Sequence, residues 1–255
     1  MELSDICPSL RDAGRTAPVY YEKCVDSTNL ALRRIAEDAA DGTAVFASCQ
    51  SAGRGRRGRS FLSPEGGLYL SMLLRPDGEV GRVASLAPVA AMAVCRAIDA
   101  FCGTRCGVKW PNDVVLGGRK ICGILCESIA GRGSPCVIVG VGINVNTASF
   151  PEELRDIASS LALLTGREYD IPALASELVR QLDDCFAAWR GDEGFCLGEY
   201  RRRCVNVGRD VLVGDQPGFA QAIGEDYSLI VAYPDGSGEA LRSGEVSVRG
   251  LYGYV

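Results

Sequence analysis

The chain has 255 residues, of which 47% are apolar and 23% are charged, and its formal net charge is −5. This is the composition of a globular protein long enough for one large domain, or for a large and a small one. An acidic chain lacks the basic surface that non-specific nucleic-acid binding requires, so we expect no nucleic-acid partner. The absence of His excludes Ser-His and Cys-His catalytic pairs and a His general base.

Predicted strands and helices alternate in the N-terminal part of the chain. Runs of apolar, β-branched and aromatic residues predict three strands, over 18–24, 43–50 and 67–76. Helical spacing after N-cap candidates at 26–28 predicts a helix over 26–39. The most apolar stretch, 83–101, contains Pro, Arg and Asp, and therefore predicts a buried or amphipathic helix rather than a membrane span. We expect no membrane partner.

Four short predicted strands follow closely on one another, over 106–110, 113–116, 120–128 and 136–145. Because a parallel crossover needs about a dozen residues or more, these strands must pair largely as antiparallel neighbours. Two helices are predicted next, over 172–190 and 193–203. From residue 205 onwards short strands alternate with turns, which predicts a small all-β barrel. We therefore expect two domains, 1–204 and 205–255.

Twelve Cys are spread along the chain without a Cys-x-x-Cys pair, and the N-terminus shows no apolar signal-peptide core. This usage predicts buried free thiols in a reducing cytoplasm rather than a secreted disulfide framework. Without His or a Cys-x-x-Cys pair, we expect no metal site.

Residues 53–59 read GRGRRGR, and the first six letters match the dinucleotide-binding spelling G-x-G-x-x-G. That fingerprint requires a helix to begin at its third glycine. Here the chain continues as RSFLSPEGGLYL, and its Pro and two Gly residues exclude a helix. A protein kinase is excluded because there is no His, and a Walker A loop because there is no Gly-Lys pair.

Four Arg and three Gly within seven residues indicate a loop built for a different anion. Neighbouring guanidinium groups repel one another, and glycines make the backbone costly to order. A polyanion would neutralise the charges, each charge-assisted hydrogen bond contributing roughly 1.5–3 kcal/mol. We therefore expect a mobile loop that becomes ordered over a phosphate or carboxylate. A solvated basic loop without a role is the alternative.

Three further segments carry groups that a carboxylate-activating site needs. KWPND (109–113) offers Lys, Asn and Asp around a proline turn, and Lys120 opens a predicted strand. GVGIN (140–144) places glycines beside Asn144, which allows the close approach of a planar ring. Each segment taken alone could equally be a turn, a packing glycine or a solvated lysine.

Five segments together resemble the bacterial biotin protein ligases, in the family's order and approximate spacing: 26–29 (DSTN), 50–76, 109–127, 139–146 and 244–249 (GEVSVR). The resemblance covers nearly the whole chain. It implies an α+β fold, with a catalytic domain like that of class II aminoacyl-tRNA synthetases, in which helices back a mixed, mostly antiparallel sheet. A small SH3-like β-barrel follows that domain. The DNA-binding segment of the bifunctional members is missing before the first strand, so no repressor role is expected.

The activity implied by the resemblance is an ATP-dependent ligation. Biotin and MgATP would form biotinyl-5′-AMP, and the biotin would pass to a lysine of a carboxylase's biotin carboxyl carrier domain. The implied catalytic residues are Lys120, Arg56 and Asp113. The implied biotin-binding residues are Ser27, Thr28, Asn29, Gln50, Arg54, Gly55, Arg56, Lys120 and Gly123. The implied ATP-binding residues are Arg56, Arg59, Phe61, Lys109, Asn112 and Asn144. Whether the chain forms a homodimer is left open.

Several alternatives stay open at this point. Many family members carry Trp where this chain has Phe61, which weakens stacking there. A lipoate or octanoate ligase or transferase shares the fold, although its members lack this Arg-rich loop. A non-catalytic biotin- or nucleotide-sensing protein is a third possibility, and a catalytically inactive scaffold is a fourth. The presence of Arg56, Lys109 and Lys120 favours catalysis.

Overall fold

A seven-stranded sheet is the frame of the fold. The computed structural model of the chain describes residues 15–76, 80–129, 136–242, 248–250 and 254. The strands of this sheet are β1 (Val19–Val25), β2 (Ala44–Gln50), β3 (Gly67–Leu74), β4 (Gly107–Lys109), β5 (Asp113–Leu116), β6 (Arg119–Ile129) and β7 (Cys136–Asn144).

The strands lie side by side in the order β1-β2-β3-β7-β6-β5-β4. β1 and β2 are parallel, and every other neighbouring pair is antiparallel. The prediction of antiparallel pairing among the four strands after residue 105 is therefore confirmed. The physical reason is the length of the connections, since the short segments between these strands can join only antiparallel neighbours.

Helices cover the sheet unequally on its two faces. Five α-helices lie in the described part: α1 (Thr28–Ile35), α2 (Leu86–Cys102), α3 (Leu161–Thr165), α4 (Ile171–Gly191) and α5 (Leu197–Arg203). α2 and α4 pack against each other, and α2 also contacts β5, β6 and β7, so that their apolar residues form the main core. α1 packs on β2, β3 and β7 through a smaller apolar cluster.

Alternation along β3 shows that these two clusters lie on opposite faces of the sheet. Met72 belongs to the main core, whereas its neighbour Leu73 belongs to the α1 cluster. Successive side chains of a strand point to opposite faces, so Tyr69 and Ser71 share the α1 side with Leu73. α1 has only eight residues, and in the described part of the chain no other helix covers the rest of that face. The candidate site occupies this part.

The predicted helix positions are confirmed, with shifts at their ends. The helix predicted over 26–39 ends at Ile35, and the one predicted from 83 begins at Leu86 after a 3-10 segment, Val80–Ser85. α3 was not predicted, because a five-residue helix is too short to show a helical period. Among the described residues, Val83–Cys102 alone is long and apolar enough to cross a membrane, and 72% of it is buried inside the fold. It is the core helix of this protein.

A second, five-stranded sheet follows α5, with strands β8 (Arg209–Val213), β9 (Gln216–Ile223), β10 (Leu229–Ala232), β11 (Gly238–Leu241) and β12 (Val248–Gly250). Its order is β11-β10-β9-β8-β12, and all its pairs are antiparallel. The predicted α+β architecture, with a small C-terminal β-sheet unit of SH3-like type, is thus confirmed. The boundary at 204/205 stays a prediction. Residues 244–247 of the GEVSVR segment lie outside the described residues.

Trp110 connects the two sheets. Its backbone N–H donates to Asn206 Oδ1 at 2.7 Å, and its indole Nε1 donates to the carbonyl of Tyr227 at 2.9 Å. The ring of Tyr227 meets that of Tyr200 edge to face, with centroids 5.4 Å apart. Because Trp110 begins the turn between β4 and β5, the second sheet is fastened directly to that turn.

The cysteines follow the prediction with one exception. Nine described cysteines are free, and eight of them are buried, as expected for structural thiols. Cys24 and Cys49 instead form a disulfide between β1 and β2, so the expectation of free thiols is wrong for this pair. The reason is the parallel register, which sets the two residues opposite each other with their Cα atoms 4.8 Å apart. A sequence separation of 25 residues gives no hint of this register.

Candidate active site

The floor of the candidate site is a patch of glycines on β6 and β7. Gly123 and Gly142 are paired across these two strands, and Gly140 lies one step along the same face. A Cβ at Gly142 would lie 2.6 Å from Cε1 of Phe61, and one at Gly140 would collide with Oδ1 of Asn29. Only glycine permits these approaches. In this structure the ring that lies against these glycines is the side chain of Phe61, and the approach of a ligand's planar ring stays a prediction.

The Arg-rich loop folds as a hairpin beside this floor. Arg54 and Ser60 form an isolated antiparallel bridge, and the N–H of Gly55 donates to the carbonyl of Arg59 at 2.7 Å. At the tip, Arg57 and Gly58 adopt positive φ angles of 58° and 74°. No helix follows the loop before β3, which confirms that the spelling G-x-G-x-x-G is not a dinucleotide fingerprint here.

Arg56 is the loop arginine that points into the site. Its Nη1 donates to Asn112 Oδ1 at 2.9 Å, and its Nη2 is buried without a hydrogen-bond partner among the residues that the structure describes. Burial lowers the pKa of Arg56, and the nearby Asp113 carboxylate opposes that shift. An arginine nevertheless stays charged. A buried cation with an unused donor is suited to an anionic ligand, because leaving such a donor unpaired is costly.

Lys120 and Asp113 form the polar centre of the site. The Lys120 ammonium lies 2.7 Å from Asp113 Oδ1 and 5.8 Å from the centre of the Phe61 ring. A register shift between β5 and β6 follows Val114, so that Lys120 pairs with Val115. The second oxygen of Asp113 accepts a hydrogen bond from the hydroxyl of Tyr254. Burial and the neighbouring Asp113 raise the pKa of Tyr254, so this hydroxyl keeps its proton.

A chain of polar contacts leads away from the floor on the side of α1. Thr28 donates to Gln50 Oε1 through its backbone N–H at 2.8 Å and through its hydroxyl at 3.2 Å. The Ser71 hydroxyl lies within 2.7 Å of Thr28 Oγ1 and 2.6 Å of Asn29 Oδ1. The amide nitrogen of Asn29 donates to Glu127 at 2.8 Å. These bonds orient the side chains around a polar recess.

Arg54 attaches the loop to the same network. Its guanidinium lies 3.3 Å from Glu127 Oε1, while the other oxygen of Glu127 holds Asn29. Glu127 thus connects the Arg-rich loop with the polar recess. The loop is therefore attached at two points. Arg54 contacts Glu127 of β6, and Arg56 contacts Asn112 in the turn before β5.

Most of the predicted site residues lie together around a pocket of about 190 Å³. Thirteen of them line it: Ser27, Thr28, Asn29, Gln50, Arg54, Gly55, Arg56, Arg59, Phe61, Asn112, Asp113, Lys120 and Gly123. Lys109 and Asn144 do not. Asn144 is buried and donates to the carbonyl of Ser159, and the Lys109 ammonium lies 3.5 Å from the ring centre of Tyr254. The roles of all these residues remain predictions.

Ser71, Glu127 and Tyr254 contact predicted site residues but were not themselves predicted. Ser71 is a buried polar residue in an otherwise apolar strand, which was a usable signal. Glu127 lies four residues after Gly123 on β6, so alternation places both on one face. Tyr254 gave no signal, because nothing in the sequence brings residue 254 to the turn before β5.

The comparison with protein families defines the class of protein to which this fold and site belong. The model of the biotin/lipoate A/B protein ligase family matches residues 21–144, which include the pocket lining and the first sheet except for the first two residues of β1. The biotin protein ligase from Aquifex aeolicus, solved in complex with biotin and ATP, superposes with a TM-score of 0.81. That match has 30% sequence identity and covers 91% of this chain and 98% of the other.

Two curated relatives narrow the assignment. The biotin–[acetyl-CoA-carboxylase] ligase of Paracoccus denitrificans is 43% identical over 226 residues, which is 83% of this chain and 92% of that protein. The bifunctional ligase/repressor BirA of Bacillus spizizenii is 42% identical over 157 residues. This second match covers 60% of the chain but 48% of BirA, so the chain spans about half the length of that relative. The chain belongs to the biotin protein ligase family.

Proposed function

We propose that this protein forms biotinyl-5′-AMP from biotin and MgATP and transfers the biotin to a lysine of a biotin carboxyl carrier domain. The observation that carries the proposal is the placement of Arg56 and Lys120 on the rim of a glycine floor, where the buried Nη2 of Arg56 has no hydrogen-bond partner among the described residues. Two cations at one pocket suit a reaction between two anions. The names of the Paracoccus and Aquifex relatives support the same substrates.

The first step joins the biotin carboxylate to the α-phosphate. A carboxylate oxygen attacks the α-phosphorus, the bond to the bridging oxygen breaks, and pyrophosphate leaves with that electron pair. Both reactants are anions, so their approach must be screened. Arg56 and Lys120 supply fixed positive charge, and Mg²⁺ would arrive bound to the phosphates of ATP.

The second step transfers the acyl group. The ε-amine of the acceptor lysine attacks the acyl carbon, the bond to the phosphate oxygen breaks, and AMP leaves. The nitrogen must lose a proton, and Asp113 is the nearest carboxylate to Lys120 for that task. For this role Asp113 exchanges one of its present hydrogen bonds for one to the incoming amine.

The two ends of the intermediate call for different surroundings. We assign the ring system of biotin to the polar recess of Ser27, Thr28, Asn29 and Gln50, where donors and acceptors are already oriented. We assign the nucleotide to the side of Arg59, Phe61 and Asn112. Lys109 and Asn144 lie outside the pocket lining. We therefore propose that they stabilise the part of the site that binds the nucleotide without contacting the nucleotide themselves.

The Arg-rich loop is proposed to act as a lid. The mixed anhydride formed in the first step would be hydrolysed by water, so it must be enclosed until the acceptor arrives. The contacts of Arg54 with Glu127 and of Arg56 with Asn112 can hold the loop over the pocket. An added anion at Arg56 Nη2 would strengthen that closure.

Exchange of labelled pyrophosphate into ATP tests the reaction directly. The purified protein is assayed with biotin, lipoate, octanoate or no acid. Exchange that requires biotin supports the proposal. Exchange with lipoate or octanoate instead would move the protein to the alternative acyl ligases. No exchange with any acid would favour a sensor that binds without catalysis.

A further inference from the structure

Tyr254 reaches the site from the second sheet, four residues after β12 ends at Gly250. Its hydroxyl donates to Asp113 Oδ2, and its ring centre lies 3.5 Å from the ammonium of Lys109. Lys109 and Asp113 are direct partners in the register of β4 and β5. One tyrosine therefore contacts both strands of this hairpin, on either side of its turn.

From this arrangement we propose that Tyr254 is a positioning residue, which clamps the turn 110–112 and holds the Asp113 carboxylate against Lys120. The proposal rests on the proposed function, since it assigns Tyr254 a part in the adenylation step. In this role Tyr254 does not touch the reacting atoms. It acts through Asp113 and through the turn.

The Asp113 carboxylate is held on both of its oxygens. Asp113 receives Lys120 on one oxygen, at 2.7 Å, and Tyr254 on the other. A carboxylate held by a donor on each oxygen cannot rotate without losing a bond. The Lys120 side chain has four flexible carbons, so a fixed Asp113 is what sets the position of its ammonium.

Tyr254 also contacts Lys109, the residue directly before the turn. Lys109 is 5% exposed, so its ammonium is a nearly buried cation, and the aromatic face of Tyr254 is a partner of suitable charge. The turn between β4 and β5 carries Asn112, which accepts the bond from Arg56. Tyr254 therefore stabilises the same turn that fastens the Arg-rich loop.

The test separates the hydroxyl from the ring. Tyr254→Phe keeps the ring over Lys109 and removes only the bond to Asp113. We expect the kcat of biotin-dependent pyrophosphate exchange to fall about tenfold, as for a lost charge-assisted bond. The KM for biotin should stay within about twofold, because the biotin recess lies on the α1 side. Tyr233→Phe is the matched control, since that hydroxyl donates to Glu239 in the second sheet, away from the site.

A double-mutant cycle with Asp113→Asn tests whether the effect passes through Asp113. We expect Tyr254→Phe to change kcat by less than about twofold in the Asp113→Asn background, because the two residues act as one unit. A full, additive loss in that background would overturn the proposal. An increase of kcat in Tyr254→Phe would also overturn it and would make the tyrosine an obstruction to the nucleotide.

Fluorine NMR gives a readout that does not depend on catalysis. The protein is labelled with 3-fluorotyrosine, and the resonance of residue 254 is assigned by its loss in Tyr254→Phe. We expect this resonance to shift in Asp113→Asn and to stay in place in Tyr233→Phe. If it does not shift in Asp113→Asn, the contact is absent and the proposal fails. If it shifts but the wild type shows no biotin-dependent exchange, the proposed function has failed instead.

Discussion

Asn112 accepts a hydrogen bond from Arg56, with 2.9 Å between Oδ1 and Nη1, and donates through its own amide nitrogen to the carbonyl of Ile124. The residue thus links the Arg-rich loop to β6 through the turn before β5. Since both groups of the amide are used, Asn112 holds Arg56 in one orientation. In the proposed lid, this bond and the contact of Arg54 with Glu127 hold the loop over the pocket.

Replacing Arg56 should therefore open the lid. In Arg56→Gly we expect the acyl-adenylate to leave the pocket early and to biotinylate lysines indiscriminately, at least about tenfold more than the wild type. The chain provides its own reporter, because it has three lysines, Lys23, Lys109 and Lys120. The side chain of Lys23 is 80% exposed, and Lys109 is buried. Mass spectrometry should find biotin on Lys23 and not on Lys109.

The neighbouring Arg57→Gly substitution shows whether the lid depends on the particular position of Arg56 or on the total positive charge of the loop. Arg57 is exposed and adopts φ 58°, a conformation that glycine takes without strain. If the lid depends on the bond between Arg56 and Asn112, this variant should retain the intermediate. Equal release from both variants would mean that the loop works only through its total charge. A normal intermediate lifetime in Arg56→Gly would contradict the lid itself.

Gly140→Ala should weaken biotin binding. The added Cβ would collide with the side chain of Asn29, which Ser71 and Glu127 hold in place. We expect the KM for biotin to rise at least about tenfold, because the recess must rearrange its hydrogen bonds. Steady-state exchange kinetics measure this. Gly191→Ala is the control, since a Cβ there meets nothing within 4 Å. Equal KM values in the two variants would remove the recess from the biotin site.

Removing the Lys120 ammonium should stop adenylation while the fold survives. In Lys120→Ala we expect biotin-dependent exchange to fall at least about 100-fold, the usual loss for one charge-stabilising donor. Asp113 keeps its bond from Tyr254, so thermal denaturation should show only a small shift in the unfolding midpoint. Lys23→Ala removes a lysine whose ion-pair distance is 4.0 Å at the surface, and it should leave exchange unchanged. Retained exchange in Lys120→Ala would exclude the proposed role.

The buried thiols should be unreactive in the native protein. Burial raises the pKa of Cys106 to about 12 and that of Cys185 to about 11. The thiolate is the reactive form, so at pH 8 alkylation should proceed only after unfolding. Among the cysteines that the structure describes, reduction of the disulfide should make the exposed Cys24 the first to be labelled by iodoacetamide. Peptide mapping checks this order, and labelling of the buried thiols ahead of Cys24 would contradict it.

Much of the fold follows from local patterns in the chain. The alternating runs identified the strands of the first sheet, and the short spacing from 106 to 145 predicted their antiparallel pairing. The ends of helices were less well predicted. The N-terminal ends of α2 and α5 lie three and four residues after their predicted starts at 83 and 193. Neither start has a side-chain capping hydrogen bond, so no capping signal in the sequence marks these ends.

The site shows the same division between local and long-range information. Residue types and spacing identified the Arg-rich loop, Lys120, Asp113 and the glycine floor. Glu127 required the register of β6, which places its side chain beside Arg54. Lys109 and Asn144 were expected to serve ATP, yet both lie outside the pocket lining. Asn144 donates to the carbonyl of Ser159, and the Lys109 ammonium lies against the ring of Tyr254.

By itself the sequence determined the chemistry that is available and most of the strands and helices, because charge, glycine content and hydrophobic period are properties of short segments. The class of fold followed from the resemblance of five segments to a known family. The tertiary structure alone decided three relationships between distant residues: the Cys24–Cys49 disulfide, the link from Arg54 through Glu127 to Asn29, and the clamp of Tyr254 on Asp113. Each depends on strand register or on the docking of the second sheet. These are set by the packing of the whole chain, so no local pattern encodes them.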